Sequence, residues 1–136
     1  MFVQLNAIVV DPDQTNRAEM SAFLTQHGVH VNQQFPGVEA LATALQRSDG
    51  TQLVVVNLDP NAPDTLKRMG HLPRQYPAVS FFVLSQVLDA NVLMEAMHLG
   101  VKEFIPLPIQ VEKFAAAIER VAGAYGMGKK AKIVHV

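Results

Sequence analysis

The sequence predicts an α/β fold: an open, doubly wound sheet of five parallel strands with helices on both faces. Short apolar runs rich in Val and Ile alternate with helical patterns of apolar residues, which is typical of βαβ units. Right-handed crossovers place the connecting helices on the two faces of such a sheet. The chain has 136 residues, 49% of them hydrophobic and 17% charged, which fits one globular domain with a buried core.

Five apolar runs predict the strands. The third run is continuously apolar, which indicates burial on both faces at the centre of the sheet. The second run is the weakest, and the fifth is short. In chain order the strands are expected at Leu5–Val10, Val29–Val31, Leu53–Val56, Val79–Leu84 and Lys102–Ile105.

Five helices alternate with these strands, bounded by capping or helix-breaking residues. Asp13 is placed to cap the first helix, Pro36-Gly37 opens the second, and Gly100 closes the fourth. The third helix has to end before Pro73 or Pro77. The positions predicted to face the core, helix by helix, are Ala18, Ala22, Phe23 and Leu24; Val38, Leu41, Ala42 and Leu45; Leu66 and Met69; Val92, Leu93, Ala96 and Met97; and Val111, Phe114, Ala115, Ile118, Val121, Ala122 and Tyr125.

Composition and charge disfavour several classes of function. The 11 basic and 12 acidic residues give a net charge of -1, so the chain offers no basic excess to nucleic acid or anionic lipid. The absence of Cys excludes disulfides and thiolate chemistry, and the five His residues show no metal-ligand spacing. No apolar run reaches the roughly 18 residues of a membrane span, and the N-terminus is unlike a signal peptide. We therefore expect a cytoplasmic protein with no membrane insertion and no metal site.

Any chemistry is expected at the carboxyl ends of the strands, where ligands of open α/β sheets bind. Four of the five predicted strands end in residues that could take part. They are Asp11, Pro12 and Asp13 after the first strand, Asn57, Leu58 and Asp59 after the third, Ser85 after the fourth, and Pro106, Leu107 and Pro108 after the fifth.

These strand ends resemble the receiver domains of two-component response regulators. The likeness rests on Val9-Val10-Asp11, Val56-Asn57-Leu58 and Val83-Leu84-Ser85. It also rests on the segment from Leu99 to Pro108, which is similar to the family's Gly-Ala-x-x-Tyr-x-x-Lys-Pro pattern. The likeness covers about residues 5–122. It implies a flavodoxin-like (CheY-like) fold with the strand order 2-1-3-4-5.

The resemblance also implies which residues occupy the family's phosphorylation site. In that family an Asp after the third strand accepts a phosphoryl group, two acids hold Mg²⁺, and a hydroxyl and a Lys bind the phosphoryl oxygens. By position, this chain has Asp11 and Pro12 for the two acids, Asn57 for the nucleophile, Ser85 for the hydroxyl and Leu107 for the Lys. An amide is no nucleophile, and Leu cannot neutralise a phosphate. The resemblance therefore implies a pseudo-receiver with no catalytic residue, no bound Mg²⁺ or other cofactor, and no enzymatic activity.

The retained polar residues also have purely structural interpretations. Asp13 suits a helix cap, Asp59 before Pro60 favours a turn, and Ser85 is placed to bond backbone at a strand end. Two other functions stay open. One is a signalling receiver that accepts phosphate on Asp59 or Asp11, and the other is a flavodoxin-like module that binds a small molecule in the crevice.

Protein binding is the function that remains when the chemistry is absent. Receivers commonly pair through the face made by the fourth helix, the fifth strand and the fifth helix, so the resemblance predicts a homodimer through that face. Met94 and Met97 are adaptable contact residues, and Phe104 corresponds to the family's signalling aromatic. Ala116 and Ala117 are small enough to permit the close approach of another helix.

The last twelve residues suggest a second domain. Residues 1–124 form the receiver-like unit, and residues 125–136 are predicted to be a linker and the first strand of a further, ATPase-like domain. This arrangement resembles pilus-assembly proteins of the CpaE/TadZ type, in which an atypical receiver precedes a MinD-like ATPase. The resemblance implies an N-terminal module that dimerises or localises the full protein at an inner-membrane assembly site for Flp/Tad pili.

Overall fold

The computed structural model describes residues 5–47, 50–87 and 89–124, and within them five parallel strands form one sheet in the order β2-β1-β3-β4-β5. This confirms the predicted fold class and strand order. The predicted linker and strand at residues 125–136 lie outside the described residues. The strands are β1 (Leu5–Val10), β2 (Val29–Phe35), β3 (Leu53–Asn57), β4 (Ser80–Ser85) and β5 (Glu103–Pro106).

Helices cover both faces of the sheet. Helices α1 and α5 pack on one face, and α2, α3 and α4 pack on the other. A 3₁₀ turn at Val38–Ala40 precedes α2, and a single helical turn at Leu72–Gln75 follows α3, which ends before Pro73 as predicted. The helices are α1 (Gln14–Gln26), α2 (Leu41–Arg47), α3 (Ala62–Met69), α4 (Ala90–His98) and α5 (Val111–Ala124).

Alternation along the central strands divides the core into two layers. In β3, Val54 and Val56 belong to the layer beneath α2, α3 and α4, while Leu53 and Val55 belong to the layer beneath α1 and α5. Successive side chains of a strand point to opposite faces, so a strand covered on both sides must be apolar throughout. The continuous apolar run that marked β3 in the sequence has this physical origin.

Capping residues set the limits of the helices. Asp13 accepts a hydrogen bond from the Asn16 N–H at 2.9 Å, as the sequence predicted, and Asp89 caps α4 in the same way. Gly28 after α1 and Gly100 after α4 have φ angles of 83° and 100°, a conformation that favours glycine.

The second strand is longer than predicted. The apolar pattern indicated only Val29–Val31, but β2 continues to Phe35 and pairs with the whole of β1. The residues at 32–34 are polar and exposed because β2 lies at the edge of the sheet. Backbone pairing with β1 requires no apolar side chain there. Strands β4 and β5 each start and end one residue later than predicted.

Some small residues predicted to face the core face solvent instead. Ala18 and Ala22 of α1 and Ala42 of α2 are exposed. Larger side chains anchor these helices, and α1 is buried through Met20 and Leu24. Apolar residues lie on several sides of α1, so its spacing alone did not identify the inner face.

Three larger residues predicted to be in the core are also exposed. Leu93 and Met97 of α4 are each 42% exposed, because Val92 and Ala96 already fill its contact with the sheet. Val111, the first residue of α5, is 54% exposed, and the buried face of that helix begins only at Phe114. Tyr125 lies outside the described residues. None of the described helices is long and apolar enough to span a membrane.

The burial of α5 can be tested at Phe114. Its ring is 1% exposed and lies 5.1 Å from the ring of Phe23 and 6.0 Å from that of Phe82, between centroids. Phe114→Ala is expected to lower the free energy of unfolding by about 3–5 kcal/mol, measured by urea denaturation. Val111→Ala on the same helix should change it by less than about 0.5 kcal/mol. Equal losses in the two variants would contradict this assignment of the inner face.

Candidate functional site

Four polar side chains meet at the carboxyl edge of the sheet. Asp11 follows β1, Asn57 ends β3, Asp59 lies two residues further on, and Ser85 ends β4. The strands are neighbours and run parallel, so their carboxyl ends lie side by side. We call these four residues the strand-end network.

A continuous series of hydrogen bonds joins the strand-end network. The Asn57 Nδ2 donates to Asp11 Oδ2 at 2.9 Å, and the Asn57 Oδ1 accepts from the backbone N–H of Asp59 at 2.9 Å. The Ser85 Oγ then donates to Asp59 Oδ1 at 2.7 Å. These partners fix the amide orientation, because the reverse orientation would set two acceptors and two donors against each other.

Backbone N–H groups bind the other carboxylate oxygens. Asp11 Oδ1 accepts from the Asp13 N–H at 2.8 Å, and Asp59 Oδ2 accepts from the Gln86 N–H at 2.8 Å. Every carboxylate oxygen of the strand-end network therefore has a donor. The loop after β3 is tied to the loop after β4 through the side chain of Asp59.

The strand-end network is shielded from solvent at its two ends. Asp11 is 4% exposed and Ser85 is fully buried, and the Ser85 Oγ also accepts from the Val87 N–H at 3.0 Å. Buried polar groups are costly unless they are hydrogen-bonded. Arg17 donates to the backbone oxygen of Asp11 at 2.7 Å. The Asp11 carboxylate accepts from the Asn57 side-chain amide and the Asp13 N–H.

A crevice of about 420 Å³ lies beside the strand-end network, and Asp11 and Asn57 form part of its wall. Leu107, after β5, is half-buried against the core layer beneath α1 and α5. Among the described residues that line the crevice, none carries a positive charge. Its apolar wall consists of Met20, Phe23, Leu84, Leu107, Pro108, Ile109 and Val111.

The structure brings together three of the five positions that sequence matching assigned to the phosphorylation site. Asp11, Asn57 and Ser85 are hydrogen-bonded members of the strand-end network. Leu107 lines the crevice, and Pro12 is exposed beside a smaller cavity under the loop after β3. In the described parts of the chain, no group of three or more His, Asp or Glu residues could hold a metal ion.

Sequence reasoning missed the role of Asp59. The sequence predicts a turn-forming residue or a replacement phosphoacceptor at this position, whereas the structure shows that its carboxylate binds Ser85 and Gln86 at the neighbouring strand end. One feature of the sequence could have indicated this contact: Asp59 lies just past the end of β3, and β3 pairs with β4 in the sheet. The spacing along the chain alone could not reveal a bond between residues 26 positions apart.

The predicted interface residues lie in different environments. Met94 and Met97 are 69% and 42% exposed on α4, and Phe104 is half-buried against the core layer beneath α2, α3 and α4. Ala116 is half-buried on α5. The prediction for Ala117 is wrong, because this residue is 2% exposed and packs within the core.

The link between Asp59 and Ser85 can be tested by mutation. Ser85→Ala leaves Asp59 Oδ1 and the Val87 N–H without the hydroxyl, so the free energy of unfolding should fall by about 1–3 kcal/mol. Ser21→Ala is the matched control, because the Ser21 Oγ is buried with no hydrogen-bond partner among the described residues. Urea denaturation should show the control to be as stable as the parent or more so. A neutral Ser85→Ala would contradict a structural role for the hydroxyl.

No protein-family model and no curated protein matches this sequence. The fold, however, is similar to that of solved structures. A candidate pilus assembly-related protein from Burkholderia pseudomallei has a TM-score of 0.79 and 17% identity, with 90% of this chain and 94% of that chain covered. A candidate pilus assembly protein (CpaE) from Burkholderia thailandensis has a TM-score of 0.69 and 20% identity, with coverage of 88% and 99%.

Receiver domains of response regulators have a fold that is about as similar to that of this chain. A response regulator receiver protein from Pseudomonas putida has a TM-score of 0.72 and 22% identity, and the match covers 88% of this chain and 99% of that chain. With its five parallel strands in the order 2-1-3-4-5, the chain has the CheY-like fold of response-regulator receiver domains.

Proposed function

We propose that this chain is a receiver-fold protein-interaction module that works without phosphorylation, and that it serves as the N-terminal module of a CpaE/TadZ-like protein in Flp pilus assembly. The hydrogen-bonded amide of Asn57 at the end of β3 is the observation that carries the first part. The similarity in fold to two candidate pilus-assembly proteins supports the second.

The chemistry of Asn57 and Leu107 opposes phosphoryl transfer at the end of β3. A phosphoryl acceptor in this place has to be a nucleophile such as a carboxylate, and the amide of Asn57 is already bound at both its polar atoms. A phosphate would bring a charge of about −1.5 to −2. The side chain of Leu107, which lines the crevice, is a hydrocarbon and cannot neutralise that charge.

The bonding of the two remaining acids opposes a relocated phosphoacceptor. Both oxygens of Asp59 accept hydrogen bonds, from Ser85 and Gln86, and both oxygens of Asp11 accept from Asn57 and Asp13. Attack by either carboxylate would break at least one of these bonds.

The proposed partners are proteins. A second copy of the chain would bind through the face of α4, β5 and α5, where Met94 and Met97 are exposed. An ATPase domain would follow the module in the same polypeptide and carry the ATP chemistry, while the module itself performs none. The full protein would be cytoplasmic and recruited to the pilus assembly site at the inner membrane.

Intact mass spectrometry tests the absence of phosphorylation. The protein is incubated with Mg²⁺ and acetyl phosphate beside an ordinary phosphorylatable receiver as the positive control. We expect a phosphoryl adduct on the control and none on this chain. A stoichiometric adduct that disappears in Asp59→Asn or Asp11→Asn would contradict the proposal and establish a relocated phosphoacceptor.

The dependence of the site on an amide is tested by Asn57→Asp. The new carboxylate cannot donate to Asp11 and repels it, so the free energy of unfolding at pH 7 should fall by about 1–3 kcal/mol.

Asn61→Asp is the matched control for this variant. Asn61 caps α3 from an exposed position, where Asp is as good a cap as Asn, so its effect at pH 7 should stay within about 0.5 kcal/mol. Urea denaturation curves at pH 7 compare the two variants. An Asn57→Asp variant as stable as the parent at pH 7 would contradict a bridging role for the amide.

A further inference from the structure

The crevice beside the strand-end network has the size of a small-molecule site. Its volume is about 420 Å³, and sites for small organic ligands typically measure about 300–1,000 Å³. Helix α1 contributes Met20 and Phe23 to its wall, and the segment at residues 107–111 contributes further apolar side chains. The ends of β1, β3 and β4 complete the wall.

The apolar part of the crevice wall is only partly buried. Phe23, Leu107 and Ile109 are half-buried, and Val111 is 54% exposed. Phe23 also contacts Phe114 of α5, with 5.1 Å between the ring centroids, so α1 and α5 are joined at this wall. A ligand with a hydrocarbon body would remove these apolar surfaces from water, which is favourable.

The polar part of the crevice wall carries negative charge. Two acids and three amides contribute to it, and no Lys, Arg or His is among the described residues that line the crevice. An anionic head, such as the phosphate of a nucleotide, would find no cation there, whereas a cationic head would meet complementary charge. The five polar residues are Asp11, Asn16, Glu19, Asn57 and Gln86.

The Asp11 carboxylate is the best-placed group to bind a cation. It is 4% exposed, and its hydrogen-bond donors are two neutral groups, the Asn57 amide and the Asp13 N–H. The Arg17 guanidinium binds the backbone oxygen of Asp11 and does not line the crevice. A carboxylate has about four acceptor sites, so Asp11 can accept further donors. A buried charge without a counter-charge is unfavourable, and an ammonium group in the crevice would neutralise it.

An organic cation suits the crevice better than a metal ion does. Mg²⁺ and Ca²⁺ are bound through several oxygen ligands, and the described parts of the chain hold no group of three or more His, Asp or Glu residues that could bind one. The hydrocarbon part of the wall offers nothing to a hydrated metal ion. It does match the body of an organic amine.

We propose that the crevice binds a small organic cation that has an apolar body. The ammonium or guanidinium head lies at Asp11 and Glu19. The body lies against Phe23, Leu107 and Val111, and it covers the apolar surface that these residues expose. This inference goes beyond the proposed function and does not depend on it, because it rests on the shape and charge of the crevice.

NMR titration with matched probes tests the class of ligand. The probes 4-phenylbutylamine, 4-phenylbutanol and 4-phenylbutyrate share one body and carry a positive, a neutral and a negative head at pH 7. The amine should bind with a dissociation constant of about 0.1–3 mM and at least about tenfold more tightly than the carboxylate, with the alcohol between them. Butylamine, which lacks the ring, should bind at least about tenfold more weakly than 4-phenylbutylamine.

The signals that move identify the site. The backbone amide signals of Phe23 and Val111 should shift and saturate, while those of Leu66 and Glu95, which line a groove between α3 and α4, should not. Equal binding of the amine and the carboxylate, or an amine that shifts no crevice signal, would overturn the inference.

Leu107→Lys should reverse the preference for charge, because it places an ammonium group in the crevice wall. We expect it to weaken the binding of 4-phenylbutylamine at least about tenfold and to strengthen that of 4-phenylbutyrate. Leu93→Lys is the matched control, since Leu93 is exposed on α4 and does not line the crevice. The control should keep the affinities of the parent. A folded Leu107→Lys variant with the parent's preference would contradict the inference.

Glu19→Gln tests the head of the ligand without a change in packing, because Glu19 is exposed. The loss of its charge should weaken the binding of 4-phenylbutylamine about two- to threefold and leave that of 4-phenylbutanol unchanged. Glu95→Gln, exposed on α4, should affect neither probe. Equal effects of the two variants on the amine would contradict the placement of the head.

Competition with Mg²⁺ and the phosphorylation test separate the inference from other readings of the site. Millimolar Mg²⁺ should not displace the amine, and displacement would indicate a metal site and overturn the inference. A chain that binds no amine and takes no phosphoryl adduct overturns the crevice ligand and leaves the phosphorylation-independent module standing. A chain that takes the adduct overturns the proposed function, whether or not it binds the amine.

Discussion

The side-chain amide of Asn57 is the interaction on which the carboxyl edge of the sheet depends. It is both donor and acceptor, so it binds the Asp11 carboxylate on one side and the Asp59 N–H on the other. Asp59 then reaches Ser85 at the end of β4. A carboxylate at position 57 could make the second bond but not the first. The polar groups at the edge where open α/β sheets bind ligands are thus hydrogen-bonded to one another.

The strand-end network lies at the end of the buried apolar strands of the sheet. Backbone bonds continue past the strand ends, from the Leu58 N–H to the Leu84 oxygen at 2.8 Å and from the Leu107 N–H to the Ser85 oxygen at 2.9 Å. The loops that carry the polar side chains are therefore held by the sheet itself. Both the backbone and the side chains therefore bind the loops after β3 and β4 to each other.

Most of the fold could be predicted from the sequence. A strand that is buried on both faces of a parallel sheet has to be continuously apolar, as Leu53–Val56 is. The length of β2 could not be predicted, since an edge strand is held by backbone pairing that leaves no side-chain pattern. The inner faces of α1 and α5 were partly misassigned. Alanine fits either environment, so Ala18 and Ala22 were placed inside and Ala117 outside, each against the structure.

The sequence predicts those residues of the candidate site that directly follow or end a strand, because their position along the chain places them at the carboxyl edge of the sheet. Asp11, Asn57 and Ser85 were placed correctly at the carboxyl edge, but the bond between Asp59 and Ser85 depends on three-dimensional proximity. Under the proposed function, the strand-end network does not accept a phosphoryl group. The most direct test is the NMR signals of the Asn57 side-chain amide and the Gln86 backbone amide, recorded with and without Mg²⁺ and beryllofluoride, a phosphoryl analogue. We expect both signals to stay unchanged. Saturable shifts of both would show that the strand-end network binds the phosphoryl analogue and would contradict the proposed function.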